Sequence, residues 1–250
     1  MITDVCAWTG TWNTLDAPGD VDSVRAGLRV YGVERIFLSP LAAAWRPNPH
    51  IDNQRVYEAA GRYPNIRAVP VLDPTLSGWE RELDRAVRHA ATPMVRILPA
   101  YGGYTPDDLD VFCAAIGKTR LALAVQVRME DPRRQHPLAQ VPDVRVEKIA
   151  DLAQRHPDLT TVIAGASTAA LRNLRDKLCT LPNLYADVSQ ADGLDALVTL
   201  VDAEITHKLL FGSHTPLFVT ASAVARVVND LNDKDATVIL SENAARIFRV

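Results

Sequence analysis

The sequence has 250 residues, of which 27 are lysine or arginine and 30 are aspartate or glutamate, giving a formal net charge of −3. This charge gives no electrostatic reason to expect nucleic acid or an anionic membrane as a partner. The sequence has no window approaching the roughly 20 apolar residues of a membrane span, and its start has no basic stretch followed by an apolar core. We therefore expect a cytoplasmic protein whose partner is a small molecule.

The three cysteines are widely spaced and form no CxxC pair, which excludes a disulfide framework and a zinc knuckle. Cys113 lies in a predicted helix and Cys179 near the end of another, and both are expected to be packing residues. Cys6 lies on the first predicted strand and is the one cysteine that we consider for chemistry.

Short apolar strands alternate with amphipathic helices along the whole chain. Strands are predicted where apolar residues run continuously, and helices where they recur every three or four residues. The predicted strands cover residues 2–8, 35–39, 66–72, 94–98, 121–127, 160–164, 184–188 and 208–211. The predicted helices cover residues 21–31, 53–62, 78–89, 106–116, 144–155, 168–178, 194–202, 219–231 and 242–248.

Eight strands that alternate with helices in 250 residues are typical of a (β/α)8 barrel, and we expect one domain covering residues 1–250. The strand starts recur at intervals of about 30 residues, as helical crossover connections require. A doubly wound open sheet fits the same alternation and stays an alternative. Against it, the first strand is followed by TGTWNTLDAPGD, which lacks the GxGxxG pattern of a phosphate-binding turn.

Polar residues follow most of the predicted strands, at the barrel end where active sites lie in this fold. In the segment KLLFGSHTPLF, residues 208–218, an apolar strand ends in a turn that contains Ser213 and His214. On the first strand, Asp4, Cys6 and Trp8 alternate and are expected to share one face. The remaining candidates at strand ends are Ser39, Asp73, Arg96, Gln126, Arg128, Glu130, Asp131, Ser167, Asp187 and Ser189.

Two pairs of these residues predict a pocket that binds an anion and moves protons. Arg96 and Arg128 can clamp a carboxylate or phosphate, because a guanidinium donates two parallel hydrogen bonds. Asp4 and His214 lie on the first and eighth strands, which are neighbours in a closed barrel. An Asp4–His214 pair would make the imidazole a general acid or base near neutral pH. Cys6 near this histidine would be an activated thiol.

Three further residues are expected to complete the substrate-binding surface: Gln126, Trp8 and Asp187. In the alternative interpretation the pocket is structural. The two arginines then neutralise the carboxylates of Glu130, Asp131 and Asp187 in a buried network.

Four segments give the chain a resemblance to a known family: DVCAWTG at 4–10, HPDL at 156–159, FGSHTP at 211–216 and SENAARIF at 241–248. In this order they resemble the amidohydrolase superfamily, and in particular the branch that contains aminocarboxymuconate-semialdehyde decarboxylase and related metal-dependent hydrolases. The resemblance covers essentially the whole chain. It implies a TIM barrel with a metal site and with hydrolase or decarboxylase chemistry.

The resemblance also implies which positions would hold the metal, and all of them differ in this chain. The family's His-x-His motif and its later ligands fall, in order, on Cys6, Trp8, Gln126, Gly165 and His214. Tryptophan and glycine side chains supply no ligand to zinc. We therefore expect no metal of the family type and no other cofactor.

Three functions stay open. The first is a hydrolase-like barrel that acts without a metal on a small carboxylate or lactone-like molecule, with the arginines holding the anion and His214 and Asp4 moving protons. The second is a catalytically silent barrel that retains ligand or partner binding. The third is a zinc hydrolase whose metal is relocated to Cys6 and His214, together with His50 or His136 from loops. The oligomeric state also stays open, a homodimer included.

Overall fold

Eight parallel strands in chain order line the centre of the fold. The computed structural model describes residues 1–14 and 16–249, so Leu15 of the predicted first loop and the last residue of the predicted domain, Val250, lie outside the described residues. The strands are β1 Ile2–Thr9, β2 Val33–Pro40, β3 Ile66–Ala68, β4 Met94–Ile97, β5 Ala122–Gln126, β6 Thr161–Ala164, β7 Leu184–Asp187 and β8 Leu209–Leu210. Neighbouring strands pair in the order β1-β2-β3 in one sheet and β4-β5-β6-β7-β8 in a second sheet.

Backbone hydrogen bonds join these two groups of strands into a ring. Between β3 and β4, Arg96 N donates to Pro70 O at 2.9 Å and Leu72 N donates to Arg96 O at 2.8 Å. Between β8 and β1, Val5 N donates to Phe211 O at 2.9 Å. The sheet therefore closes, and the (β/α)8 barrel predicted from the sequence is confirmed, whereas the doubly wound open sheet is wrong.

Helices lie between successive strands and, as the sequence predicts, further helices follow the last strand. They are α1 Val21–Val30, α2 Asn53–Arg62, α3 Trp79–Arg88, α4 Pro99–Gly102, α5 Asp110–Gly117, α6 Val146–Arg155, α7 Thr168–Asn173, α8 Arg175–Thr180, α9 Ala196–Asp202, α10 Thr220–Asp230, α11 Asp233–Thr237 and α12 Asn243–Phe248. Within the described residues, none of them combines the length and the apolarity needed to cross a membrane.

Several predicted elements are shorter or divided in the structure. The predicted helix 106–116 is divided at Leu109 into a 3-10 turn, Pro106–Asp108, and the helix Asp110–Gly117. The third strand ends at Ala68 instead of residue 72, because Pro70 has no N–H to donate to a neighbouring strand. The predicted helix 168–178 is divided at Leu174 into α7 and α8. Leu174 keeps its place in the core, where it is 5% exposed.

Side-chain alternation separates an outer layer of the core from the barrel interior. Strand residues such as Leu38 and Ile163 pack with residues of the surrounding helices such as Leu28. At the amino-terminal end of the barrel, Phe37 contacts the ring of Phe248 from α12 at 4.9 Å between centroids. The last helix therefore closes the end of the barrel opposite to the candidate site.

Strand β1 does not alternate regularly. Its register against β2 shifts between Asp4 and Ala7, and the consecutive residues Val5 and Cys6 both pack in the barrel interior. Such a bulge moves the following side chains to the other face of the strand. The expectation that Asp4, Cys6 and Trp8 share one face is therefore wrong for Asp4, whose pairing partner Ile36 packs toward the helices.

Candidate functional site

His214 lies in the barrel interior and is completely buried. Its backbone has a φ of 59°, a left-handed conformation that is strained for a histidine. Its Nε2–H donates to the carbonyl oxygen of Met129 at 2.8 Å, and its Nδ1 accepts from Trp8 Nε1 at 3.3 Å. Burial lowers the pKa of His214 to about 3. The ring is therefore neutral near pH 7, and both of its nitrogens are used within the protein.

Asp4 makes three hydrogen bonds around the turn after β8. Its carboxylate accepts from Cys6 N at 2.9 Å, from Ser213 N at 3.0 Å and from the Ser213 hydroxyl at 2.5 Å. Burial raises the pKa of Asp4 to about 6, because desolvation outweighs these bonds. The predicted Asp4–His214 pair is wrong, since the bulge directs Asp4 to Ser213 and the ring of His214 has other partners.

Arg96 extends into the barrel interior and is completely buried. Its Nε donates to Ser39 Oγ at 3.1 Å, its Nη2 donates to the carbonyl oxygen of Val5 at 3.3 Å, and its Nη1 donates to Gln126 Oε1. The guanidinium carbon also lies 4.7 Å from the centre of the Trp8 ring, a cation–π distance. All of these partners are uncharged, so Arg96 does not neutralise the carboxylates named in the structural alternative.

Cys6 lies between His214 and Arg96 in the barrel interior. Its Sγ is 3.4 Å from His214 Nδ1 and 3.7 Å from Arg96 Nη1. Burial raises the pKa of the Cys6 thiol, and the charge of Asp187 raises it further. The expectation of an activated thiol is wrong in this conformation, because the thiol stays protonated.

Asp187 has one satisfied and one unsatisfied oxygen. Its Oδ1 accepts from Gly165 N at 3.1 Å, from Ser189 N at 3.0 Å and from the Ser189 hydroxyl at 2.6 Å. Its Oδ2 is buried and has no hydrogen-bond partner among residues 1–14 and 16–249. Gly212 packs directly against Cys6 in the same part of the interior, because a Cβ atom at Gly212 would come within 2.8 Å of Cys6 Cβ. The interior is therefore tightly packed around the expected metal position.

The donor set in the interior does not fit a metal of the family type. At the positions implied by the resemblance, Cys6 is a protonated thiol, and both nitrogens of His214 are already in hydrogen bonds. The Arg96 guanidinium lies beside them and would repel a second cation. Among the described residues, no group of three or more His, Cys, Asp or Glu side chains is arranged to hold a metal ion.

The loop histidines do not supply the relocated ligands of the third hypothesis. His50 Nε2 accepts from Asp73 N at 2.9 Å, and His136 Nδ1 accepts from Leu138 N at 3.1 Å. Each ring thus has a local structural partner in its own part of the surface. Neither histidine lies among the hydrogen-bond partners of Cys6 or His214.

Arg128 lies at the mouth of the barrel instead of the interior. Its Nε donates to Gln190 Oε1 at 2.8 Å, and its terminal nitrogens lie 3.7 Å from Asp143 and 3.6 Å from Asp192. The predicted clamp of Arg96 and Arg128 is therefore wrong, because the two guanidiniums have different partners and only that of Arg128 reaches a cleft.

A cleft of about 330 Å³, which we call the arginine cleft, opens at the mouth between the loops after β5 and β7 and helix α10. Three basic side chains line it, Arg128, Arg134 and Arg226. Arg226 donates to the carbonyl oxygen of Ala191 and is partly buried, which lowers the pKa of its guanidinium through desolvation. Sequence reasoning missed Arg226, because it lies within a helical pattern and not at a strand end.

The structure thus brings together Cys6, Trp8, Arg96, Gln126 and His214, in a buried interior instead of an open polar pocket. Asp187 lies beside them, in hydrogen bonds with Gly165 and Ser189. The other two residues of the predicted site have different surroundings. Asp4 lies behind the turn after β8, and Arg128 lies in the arginine cleft.

Comparison with known proteins identifies one family. A family model described as amidohydrolase matches residues 5–250. No curated protein matches the sequence significantly.

Several solved structures share the fold at low sequence identity. A 2,6-dihydroxybenzoate decarboxylase from Rhizobium is 18% identical and has a TM-score of 0.71, with 100% of this chain and 99% of that chain covered. A TIM-barrel protein from Bordetella bronchiseptica is 17% identical and has a TM-score of 0.70, with 92% and 83% covered. A 5-carboxyvanillate decarboxylase from Novosphingobium aromaticivorans, solved with manganese, is 13% identical and has a TM-score of 0.71, with 92% and 81% covered. At these identities the likeness shows the fold alone.

Proposed function

The chain belongs to the amidohydrolase family, and on that premise we propose that it binds a small carboxylate at the barrel mouth without a metal at the family's position. The solved neighbours include decarboxylases of small aromatic carboxylates, which supports this ligand class. The residues at the positions where the resemblance places metal ligands form a packed core. This arrangement favours the second of the three hypotheses, a catalytically silent barrel that retains ligand binding.

The state of the interior groups supports a silent core. At neutral pH the thiol of Cys6 is protonated and the imidazole of His214 is uncharged, because burial shifts both pKa values away from 7. Both side chains, and also Arg96, are completely buried. A general base or a nucleophile must be within hydrogen-bond reach of its substrate, and in this arrangement protein atoms fill that space.

The arginine cleft is the observation that carries the proposal. Its three arginines face two acidic residues, Asp131 and Asp192, and Asp131 is already paired with Arg133 outside the cleft. Arg128 is paired with Asp143 and Asp192, and Asp192 and Asp230 lie near Arg226. The residues that line the cleft still carry a net charge of +1, from three arginines and two aspartates. A guanidinium at a partly buried position binds a carboxylate through charge-assisted hydrogen bonds.

Benzoate is expected to bind in this cleft, whereas benzamide, which has the same ring but no charge, binds at least roughly tenfold more weakly. Replacing Arg226 with methionine should weaken benzoate binding roughly tenfold, because it removes one charge-assisted interaction. Titration calorimetry at constant ionic strength measures both effects. The matched control is Arg62→Met, which removes an exposed charge on α2, outside the arginine cleft, and should leave binding unchanged. Equal affinities for benzoate and benzamide would contradict the proposal.

One observation favours a second candidate function, metal-free hydrolysis of a lactone-like ester. The buried Oδ2 of Asp187 has no partner among the described residues, and unpaired buried oxygens of this kind occur at catalytic sites. Reaction at Asp187 requires a conformation in which the interior opens toward the arginine cleft. Hydrolysis of dihydrocoumarin that is lost in Asp187→Asn, while benzoate binding is retained, would establish this second function over the silent barrel.

A further inference from the structure

A second cavity at the barrel mouth is lined by three aromatic rings from separate loops. Trp12 follows β1, Trp45 follows the short helical turn after β2, and Tyr101 belongs to α4. The ring centroids are 5.4 Å apart for Trp12 and Trp45, 5.1 Å for Trp45 and Tyr101, and 6.2 Å for Trp12 and Tyr101. The cavity has a volume of about 160 Å³, close to the roughly 150 Å³ of an engineered apolar cavity that holds benzene. We call it the aromatic cavity.

A buried carboxylate completes the wall of the aromatic cavity. Glu130 is 6% exposed, and its Oε1 accepts from the hydroxyl of Thr14 at 2.7 Å. Its Oε2 is buried and has no hydrogen-bond partner among the residues that the structure describes. An anionic oxygen without a partner is costly at a buried position, so it marks a place for a positive charge.

The polar groups around the aromatic cavity determine which cation it can accept. Within the described residues the lining contains no lysine or arginine, and its one histidine, His136, accepts a hydrogen bond at Nδ1 from Leu138 N. A primary ammonium would need several hydrogen-bond acceptors for its N–H groups. A quaternary ammonium needs none, and it is stabilised by the faces of aromatic rings and by one nearby carboxylate.

We propose that the aromatic cavity binds the quaternary ammonium group of a small molecule. The rings of Trp12, Trp45 and Tyr101 supply cation–π attraction, and Glu130 supplies the counter-charge. The aromatic cavity shares no lining residue with the arginine cleft, so this inference does not depend on carboxylate binding there. The mouth of the barrel would then bind two ligand classes of opposite charge, a carboxylate in the arginine cleft and a quaternary ammonium in the aromatic cavity.

Choline and 3,3-dimethyl-1-butanol test this inference, because the two molecules have the same shape and differ in charge. Two of the four tryptophans line the cavity, so tryptophan fluorescence reports binding, and titration calorimetry measures the affinity. We expect saturable binding of choline chloride, measured against equal concentrations of sodium chloride. The neutral alcohol should bind roughly tenfold more weakly. Equal affinities would reduce the cavity to an apolar pocket and overturn the proposal.

Substitutions test whether choline binds in the aromatic cavity, and a control variant distinguishes a lost contact from a loss of folding. Glu130→Gln keeps the shape of the side chain and should weaken choline binding roughly fivefold or more, and Trp45→Ala should do the same. The control is Trp79→Phe, because Trp79 packs against Phe112 outside the cavity and should not affect choline. Circular dichroism verifies that each variant is folded. Choline binding that is unchanged in Glu130→Gln would overturn the proposal even if Trp45→Ala is unfolded.

Discussion

Replacing Asp4 with alanine is expected to lower the free energy of unfolding by about 3–5 kcal/mol at pH 5. Asp4 accepts hydrogen bonds from the backbone N–H groups of Cys6 and Ser213 and from the Ser213 hydroxyl, all in a completely buried position. Alanine leaves these donors unpaired, and each buried unpaired group costs about 1–3 kcal/mol. At pH 5 the buried carboxyl group is mostly protonated, because its pKa is raised from 3.8 to about 6, and the free energy of taking up this proton offsets only part of the loss. Urea unfolding measures the change.

Two further variants make this measurement specific. Asp4→Asn keeps an oxygen for the two backbone donors and should lose less than half as much stability as Asp4→Ala. Asp84→Ala removes an exposed aspartate from α3 and should change the free energy of unfolding by no more than about 0.5 kcal/mol. If Asp4→Ala were as stable as the unsubstituted protein, Asp4 would not be the structural link between β1 and the turn after β8.

The buried His214 and Asp4 should make opposite contributions to acid stability. The pKa of His214 is lowered from 6.5 to about 3, so its contribution is lost as pH falls. The pKa of Asp4 is raised from 3.8 to about 6, so its contribution is lost as pH rises. Between about pH 4 and pH 6 both groups change the free energy of unfolding with pH, each by about 1.4 kcal/mol per pH unit and with opposite sign. In the unsubstituted protein the two slopes cancel.

Single substitutions are expected to expose each slope. Between pH 6 and pH 4, Asp4→Asn should lose about 3 kcal/mol relative to the unsubstituted protein, because the effect of His214 is no longer compensated. Over the same range His214→Gln should gain about 3 kcal/mol relative to it. Urea unfolding at a series of pH values gives both differences, and the contributions of other titrating groups cancel in them. Differences that do not vary with pH would show that neither group has a shifted pKa.

The barrel could be predicted from the sequence because its signals are local. Runs such as Leu209 to Phe211, each followed by a polar turn, indicate buried parallel strands without knowledge of the fold. The rule that polar residues meet at the carboxyl ends of strands then brought Arg96, Gln126 and His214 together correctly. The predicted boundaries were less accurate in the third strand, which Pro70 shortens, and in the predicted helix 168–178, which is divided at Leu174.

The details of the site could not be predicted because they depend on contacts between distant segments. The bulge in β1 reverses the alternation after Asp4, and no residue type at this position signals it. The burial that neutralises His214 arises from Trp8, Met129 and the surrounding loops, which only the folded chain brings together. The aromatic cavity likewise consists of rings from three loops without a common spacing.

A side-chain cation lies in the interior close to the expected metal position. The Arg96 guanidinium lies 3.7 Å from the thiol of Cys6, one of the residues on which the family's ligands fall. The guanidinium also donates hydrogen bonds to Ser39 on the second strand and to Gln126 on the fifth. One buried guanidinium from β4 thus contacts residues of β1, β2 and β5 around the barrel axis.

Elemental analysis of the protein, purified without chelators and then dialysed after incubation with zinc or manganese, tests most directly whether the interior holds a metal. The same measurement is made on Cys6→Ala and His214→Ala. We expect well under 0.1 metal ion per chain in all three proteins, because the interior lacks a ligand set. One tightly bound ion per chain that is lost in both variants would contradict the silent, metal-free barrel and establish a relocated metal site.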